Sequence, residues 1–230
     1  VSQNIDLLIF DSLKTRFPKN YLYDSPSVVV GVSESDIEKY GWPIDDNYLL
    51  NTIQKLDKAD SSSIVLDLYR NVGVGKGAKS LANYSRSNKK VISIFNVAEG
   101  ISSIPDFPLE RIAFNDMPID IDNVVRRDLV GVNRRKFKLG KEFVSVPMRM
   151  LEIHQSLNKK SFNLEEKFYK NKISLIQNFS GGYTNVDSNG FQIFINYPEK
   201  NYIPIYSLSE ILEDKISLEK LKNKMIVLGA

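Results

Sequence analysis

The stretch Val28-Val29-Val30-Gly31-Val32-Ser33-Glu34-Ser35-Asp36-Ile37 decides the fold, and Gly41-Trp42-Pro43 follows it closely. Consecutive β-branched valines predict a strand that is buried on both faces, as strands of parallel sheets are. The acidic, serine-rich turn and the Gly-Trp-Pro corner then place polar side chains at the carboxyl end of that strand. Because open α/β sheets bind ligands outside the carboxyl ends of their strands, this edge is the predicted recognition site.

The segments that follow alternate between helix and strand. A helix capped by Asp45 or Asp46 leads to a strand at residues 64–68, and a second helix from about Ala78 leads to a strand at residues 91–95. Consecutive strand–helix–strand units imply right-handed crossovers and therefore a parallel sheet.

The middle of the chain differs in character from this alternating part. We predict an antiparallel insertion over residues 105–140, because residues 124–139 alternate like paired strands, with Asn133 as a turn residue. Ser145 is predicted to cap a helix that runs to about Leu157. The remaining expected elements are a strand at 173–178, a strand at 191–195, a helix opened by a capping box at 207–210, and a strand at 225–228. The predicted fold class is α/β: a single domain over residues 1–230 with a mixed, largely parallel sheet flanked by helices.

Composition narrows the classes of function. The 230 residues are 42% hydrophobic, which is enough for one large core, and the net charge of +3 is too small to indicate nucleic acid as a partner. There is no cysteine, which excludes disulfides, thiolate nucleophiles and Cys-ligated zinc. No apolar run approaches the roughly 20 residues that a spanning helix needs. Residues 1–17 predict an opening amphipathic helix instead.

The segment Gly73-Val74-Gly75-Lys76-Gly77-Ala78 lies between a predicted strand and a predicted helix, where glycines and a helix N-terminus could cradle phosphate. The match to phosphate-binding motifs is loose, because the spacing fits neither the dinucleotide fingerprint nor the P-loop. The pattern favours an ordinary strand-to-helix loop, and phosphate binding is the alternative.

The segment Asn185-Val186-Asp187-Ser188-Asn189-Gly190 copies the first half of a calcium loop. The second half lacks the bidentate glutamate, since position twelve is Asn196, so a turn built on Asn189-Gly190 is favoured and no metal site is predicted.

The sequence offers few candidate residues for nucleophilic catalysis. His154 is the only histidine and falls on a predicted helix, where packing is the favoured interpretation. Ser33 lacks the closing glycine of a nucleophile elbow. Glu34, Asp67 and Asp122 lie at or beside predicted strand ends, where hydrogen bonding to turn amides is favoured over acid–base chemistry.

Two further charged features are a carboxylate within an apolar strand and a basic segment. Asp67 interrupts an apolar strand, and Arg126 or Arg127 is the predicted partner for its carboxylate. Residues 124–141 carry seven cations against Asp128 alone. The alternation predicts a solvated edge, and lipid headgroups or an anionic ligand are the alternatives.

The order of these segments resembles the second type of CHASE domain, the extracytoplasmic sensory module of bacterial adenylate cyclases, histidine kinases and serine/threonine kinases. The family pattern commonly has Asp at position 33 and Ser at position 36, the reverse of this chain. The segments that carry the resemblance span nearly the whole chain: 28–37, 41–43, 64–69, 120–127, 195–197, 206–212 and 221–230.

The resemblance implies a non-enzymatic sensor of the cell membrane, facing the periplasm or the cell exterior, with residues 1–17 continuing from a membrane span outside the chain. It also implies a homodimer that responds to an unidentified small molecule or environmental signal, without a cofactor. The alternatives are a phosphate-handling α/β hydrolase and a dimerisation module that binds no ligand. The strand ends give the predicted ligand-binding set: Glu34, Trp42, Asp67, Tyr69 and Arg126.

Overall fold

The computed structural model describes residues 2–17, 21, 23–132, 143–157, 175–187 and 190–229. The chain forms two compact units. Unit 1 comprises Val1–Asp24, Asp116–Ser145 and Phe162–Tyr202, and unit 2 comprises Ser25–Asn115, Val146–Ser161 and Ile203–Ala230. The single domain expected over residues 1–230 stays a prediction, because two compact units can fold either together or separately.

Unit 2 is built on a six-stranded sheet in the order β4-β3-β2-β9-β1-β8, and every pairing in it is parallel. The last strand along the chain therefore lies between the first and the second. The predicted α/β class with a parallel sheet is confirmed. The strands are β1 (Ser27–Gly31), β2 (Ser63–Asp67), β3 (Val91–Phe95), β4 (Ile112–Phe114), β8 (Ile205–Ser207) and β9 (Met225–Gly229).

Helices flank this sheet and bury its apolar strands. The four leading residues of β2 and of β3 are all buried, as expected for strands covered on both faces. Helix α3 contributes Leu49, Ile53 and Leu56 to the core, at the spacing of one helical face. The helices are α2 (Glu34–Tyr40), α3 (Asp46–Lys58), α4 (Ala78–Ser87), α5 (Val146–Leu157) and α6 (Leu208–Leu212).

Capping side chains set where three of these helices begin. Asp45 caps α3, and its carboxylate accepts a hydrogen bond from the Asn47 amide at 2.8 Å. The predicted capping box at Ser207 opens α6. A second box, formed by Ser33 and Asp36, opens α2 at Glu34. The segment predicted to be an acidic turn is therefore the first turn of a helix, because this reciprocal cap satisfies its leading amides.

Unit 1 combines helix α1 (Ser2–Arg16) with a three-stranded antiparallel sheet, separate from the parallel one. The central strand β5 (Arg127–Val132) pairs with β6 (Phe143–Val144) and with β7 (Phe191–Phe194). A small core of buried side chains lies beneath them: Leu7, Ile176, Tyr183 and Val186. An antiparallel part is thus confirmed, but as a sheet of its own.

Some predicted bounds were wrong. Residues 105–140 include β4, which joins the parallel sheet. The sequence did not predict this strand because three residues are too few to show a periodicity. Residues 175–178 are not a strand, although the Ile176 amide donates to the Gln192 carbonyl. Helix α5 starts directly after Ser145 as predicted, yet the buried Ser145 hydroxyl has no hydrogen-bond partner within the described residues. The turn at Asn133 lies outside the described residues.

Among the helices that the structure describes, none is long and apolar enough to cross a membrane.

Candidate functional site

The carboxyl edge of the parallel sheet is formed by the last residues of three adjacent strands. Gly229 of β9 lies between Gly31 of β1 and Asp67 of β2 in the strand register. Arg126, which was predicted to join this edge, belongs to unit 1. Its participation there stays a prediction. The other members of the predicted set all belong to unit 2: Glu34, Trp42, Asp67 and Tyr69.

A chain of side-chain hydrogen bonds leads to Asp67 at the carboxyl edge. The Asn96 amide donates to the Tyr69 hydroxyl at 3.1 Å, and that hydroxyl donates to Asn115 Oδ1 at 3.0 Å. Asn115 Nδ2 in turn donates to Asp67 Oδ1 at 3.3 Å. Burial raises the pKa of Asp67 and outweighs the hydrogen bond from Asn115, which lowers it. The described hydrogen-bond partner of Asp67 is therefore a neutral amide, and its predicted partnership with Arg126 or Arg127, which belong to unit 1, stays a prediction.

The acidic segment after β1 has a structural role that the sequence did not reveal. Asp36 is fully buried, and it accepts hydrogen bonds from the amides of Ser33, Leu208 and Ser209 at 2.8, 3.2 and 2.9 Å. Burial raises the pKa of Asp36, but hydrogen bonds from Ser33 and Ser209 outweigh it and leave that pKa below its ordinary value. One carboxylate therefore joins the N-termini of α2 and α6. Glu34 and Trp42 are exposed nearby in the sequence.

The glycine-rich loop before α4 packs against the N-terminus of α3. A Cβ on Gly77 would lie 2.3 Å from the Asn47 amide nitrogen, and a Cβ on Gly75 would meet the Asp45 carboxylate. The Val74 amide donates to Asp46 Oδ2 at 2.9 Å, so one loop amide that could have faced phosphate is occupied by a carboxylate. These contacts favour the predicted structural loop, whose glycines allow close backbone approach.

Unit 1 contains a cluster of ionised side chains around two buried arginines. Arg126 donates to Asp11 on α1, to Asp120 and to Asp122, at distances from 2.6 to 2.9 Å. Arg127 donates to Asp120 at 2.6 Å. We call these five residues the ion-pair cluster. Both arginines were expected on a solvated edge, but Arg126 is only 3% exposed, and its ion pairs with three aspartates make this burial possible.

Contacts within the cluster shift the pKa values of Asp120, Asp122 and the neighbouring Tyr183. Hydrogen bonds from Arg126 lower the pKa of Asp122 to about 2. Burial raises the pKa of Asp120, but hydrogen bonds from Tyr183, Arg126 and Arg127 outweigh it and leave the pKa below its ordinary range. Burial and the hydrogen bond that it donates to Asp120 raise the pKa of the Tyr183 hydroxyl. Asp120 and Asp122 therefore stay ionised throughout the physiological range of pH.

A cavity of about 610 Å³ lies within unit 1, between α1 and the segments 124–126 and 195–200. We call it the α1 cavity. Its volume falls within the roughly 300–1,000 Å³ typical of small-molecule sites. Apolar side chains line most of it: Phe10, Phe17, Val124, Val125, Ile195, Tyr197 and Pro198. The polar lining residues are Asp11, Lys14, Thr15, Arg126, Asn196, Glu199 and Lys200.

Contacts around the α1 cavity hold its two sides in place. Lys14 Nζ donates to Asn196 Oδ1 at 2.7 Å and lies 5.6 Å from the centre of the Phe10 ring. The Tyr197 hydroxyl donates to the Val125 carbonyl at 2.7 Å. Together with the pairing of Arg126 with Asp11, these contacts join the helix to both strand-side segments. The geometry suits the binding of an amphipathic small molecule.

Two other sequence motifs have plain structural outcomes. His154 on α5 forms a hydrogen bond of 2.8 Å through Nδ1 with the Ser62 hydroxyl, which agrees with the predicted packing role. Part of the calcium-like segment, Ser188 and Asn189, lies outside the described residues. So do the cations at 134–141, which leaves their predicted exposure untested. Within the described part of the chain, no group of three or more metal-ligating side chains comes together.

Sequence reasoning found one member of the α1 cavity, Arg126, and missed the others. The cavity joins residues that are more than 100 positions apart, such as Lys14 and Asn196, and no local pattern connects them. One signal was present: Phe10 and Lys14 on the first helix could have been marked as an aromatic–cation pair four positions apart.

One of the comparisons with known proteins identifies a family. The family model described as the CHASE2 domain matches residues 1–230, which is the whole chain. Neither a curated protein nor a solved structure gives a significant match.

Proposed function

This chain belongs to the CHASE2 domain family, a family of extracellular sensory domains of receptors, and from that premise we propose that it reads a chemical signal in the α1 cavity. Sensory domains of this kind are not catalytic. We propose further that the chain is the extracytoplasmic input domain of a bacterial membrane receptor whose output is a histidine kinase, a serine/threonine kinase or an adenylate cyclase. A homodimer tethered by flanking membrane spans is part of this proposal.

The single observation that supports signal reading is the position of the α1 cavity beside the first helix. One wall is helix α1, and the opposite wall consists of residues 124–126 and 195–200. A ligand that contacts both walls binds more tightly to one placement of the helix than to another. Differential affinity of this kind shifts the equilibrium between two arrangements, whereas equal affinity shifts nothing.

Helix α1 is also the element best placed to pass a signal on. Its attachment to the rest of unit 1 is partly ionic, through Asp11, and partly apolar, through Leu7. Four other apolar side chains of the helix are exposed: Ile5, Leu8, Ile9 and Leu13. We propose that signal binding changes the placement of α1, and that the change passes to the membrane segment expected to precede it.

The test uses the intact receptor in membrane vesicles. Thr15 is an exposed lining residue of α1, so Thr15→Trp fills the α1 cavity without disturbing the core. Ser12→Trp is the matched control, since Ser12 is exposed on the same helix and does not line the cavity. We expect Thr15→Trp to fix the phosphorylation or cyclic nucleotide output at one level, and Ser12→Trp to keep the signal response. An unchanged response in both variants would contradict the proposal.

A phosphate-handling hydrolase and a ligand-free dimerisation module are the competing functions. A screen of phosphoesters with and without divalent metal tests the hydrolase, and turnover that disappears in Asp67→Asn would support it. Sedimentation that depends on concentration, together with no thermal shift across a panel of metabolites and lipids, would support the dimerisation module.

A further inference from the structure

We infer that the α1 cavity takes a small molecule with an apolar, aromatic body and one carboxylate group. This inference rests on the proposed function and names the class of ligand for the same cavity. It depends on the ammonium group of Lys14 in the lining and on the aromatic side chains around it.

Asp11, the acidic side chain on the helical wall, is already paired with an arginine. Asp11 accepts two hydrogen bonds from Arg126, from Nε at 2.8 Å and from Nη2 at 2.6 Å, in the bidentate geometry of a strong ion pair. Both oxygens of Asp11 therefore already accept hydrogen bonds inside the protein. Arg126 is occupied as well, because two further aspartates accept from it.

The cation on the same wall is not neutralised. Lys14 Nζ donates to Asn196 Oδ1, a neutral acceptor, and forms no ion pair within the described residues. An ammonium group has three donors, so two remain for a ligand. Lys200 adds a second cation at the exposed end of the lining, and Glu199 beside it adds one anion. Outside the ion-pair cluster, the lining thus holds two cations and one carboxylate. Because the cluster itself has three aspartates against two arginines, the preference for a carboxylate rests on the position of Lys14 beside the apolar rings and not on the net charge.

The rest of the lining defines the apolar body. Phe10, Phe17 and Tyr197 contribute aromatic rings, and Phe10 lies directly beside the Lys14 ammonium. Aromatic side chains bind rings in offset or edge-to-face arrangements, and such pairs contribute beyond their buried area. A carboxylate joined to an aromatic ring by a short chain would place its charge at Lys14 and its ring among these side chains.

The experiment compares three probes that share one skeleton: 3-phenylpropanoate, 3-phenylpropanamide and 3-phenylpropylamine. Saturation-transfer NMR on the purified chain measures their dissociation constants. We expect the carboxylate to bind about 10-fold more tightly than the amide, equivalent to about 1.4 kcal/mol, and more tightly still than the amine.

Lys14→Met should remove this preference. Arg16→Met is the matched control, because it removes the same charge from the same helix at an exposed position outside the lining. Equal or tighter binding of the amine, binding of none of the probes at millimolar concentration, or a preference that survives Lys14→Met would each overturn the inference.

The ligand class and the proposed function fail in different ways. If receptor output responds to Thr15→Trp but the carboxylate has no advantage, only the ligand class is wrong. If Thr15→Trp changes neither the receptor output nor probe binding, the sensing role of the α1 cavity is wrong as well.

Discussion

Arg126 and Asp11 form a bidentate ion pair across 115 positions of sequence, with N–O distances of 2.8 and 2.6 Å. The arginine is almost fully buried, whereas the aspartate is about one third exposed. Because Asp11 lies on α1 and Arg126 lies just before β5, this pair attaches the helix to the antiparallel sheet. Both residues also line the α1 cavity, so the same contact fixes the cavity's shape.

Replacing Asp11 with asparagine should loosen α1. The variant removes the opposing charge and turns one acceptor into a donor that faces Nη2 of Arg126. We expect Asp11→Asn to lower the free energy of unfolding by about 1–3 kcal/mol and to increase amide exchange in α1. Urea denaturation and hydrogen-exchange mass spectrometry measure these effects. Asp6→Asn, at an exposed position of the same helix, should change little.

Stability should fall in acid because of Asp122. Its folded-state pKa is lowered to about 2 by hydrogen bonds from Arg126, below the ordinary value. The stabilising contribution is therefore present above pH of about 4 and disappears as the pH falls towards about 2. Asp122→Asn should flatten this part of the profile of unfolding free energy against pH. An exposed carboxylate, Asp24, gives the control variant Asp24→Asn; an equal effect there would contradict the assignment.

Gly77 should not tolerate a side chain. Its hypothetical Cβ lies 2.3 Å from the Asn47 amide nitrogen, so Gly77→Ala forces backbone atoms apart. We expect a loss of about 1–3 kcal/mol in the free energy of unfolding, typical of overpacking. Gly31→Ala is the control, because nothing lies within 4 Å of its Cβ position. Inorganic phosphate should raise the melting temperature of neither protein. A phosphate-dependent shift that Gly77→Ala abolished would instead support a phosphate site.

Asp67→Asn should stabilise the protein at neutral pH. Burial raises the folded-state pKa of Asp67, and an asparagine can still accept a hydrogen bond from Asn115. The contribution of the aspartate is fully present below its unfolded pKa of about 4 and is lost as the pH rises through the raised folded value. We expect a gain of about 1 kcal/mol at pH 7 and none at about pH 3. Glu34→Gln, at an exposed position of the same unit, should show no such trend; a loss of stability at pH 7 in Asp67→Asn would contradict the expectation.

Local patterns predicted much of unit 2. The valines of β1, the apolar runs of β2 and β3, and the capping residues Asp45 and Ser207 all specify elements that form where expected. Each signal lies within a few residues of the element that it defines. The reversed pair Ser33 and Asp36 shows the limit of such reasoning. Their capping box is local, but the α6 amides that donate to Asp36 belong to a segment more than 170 positions away.

The sequence by itself determined that strands and helices alternate into a parallel sheet, because burial on both faces and helix capping are encoded within short segments. The tertiary structure alone decided that β9 lies between β1 and β2, that Arg126 is buried among aspartates, and that α1 closes one side of a cavity. These features depend on contacts between distant segments. The free energy of the ion pairs among these contacts depends on the distance between the charges, and no spacing along the sequence specifies that distance.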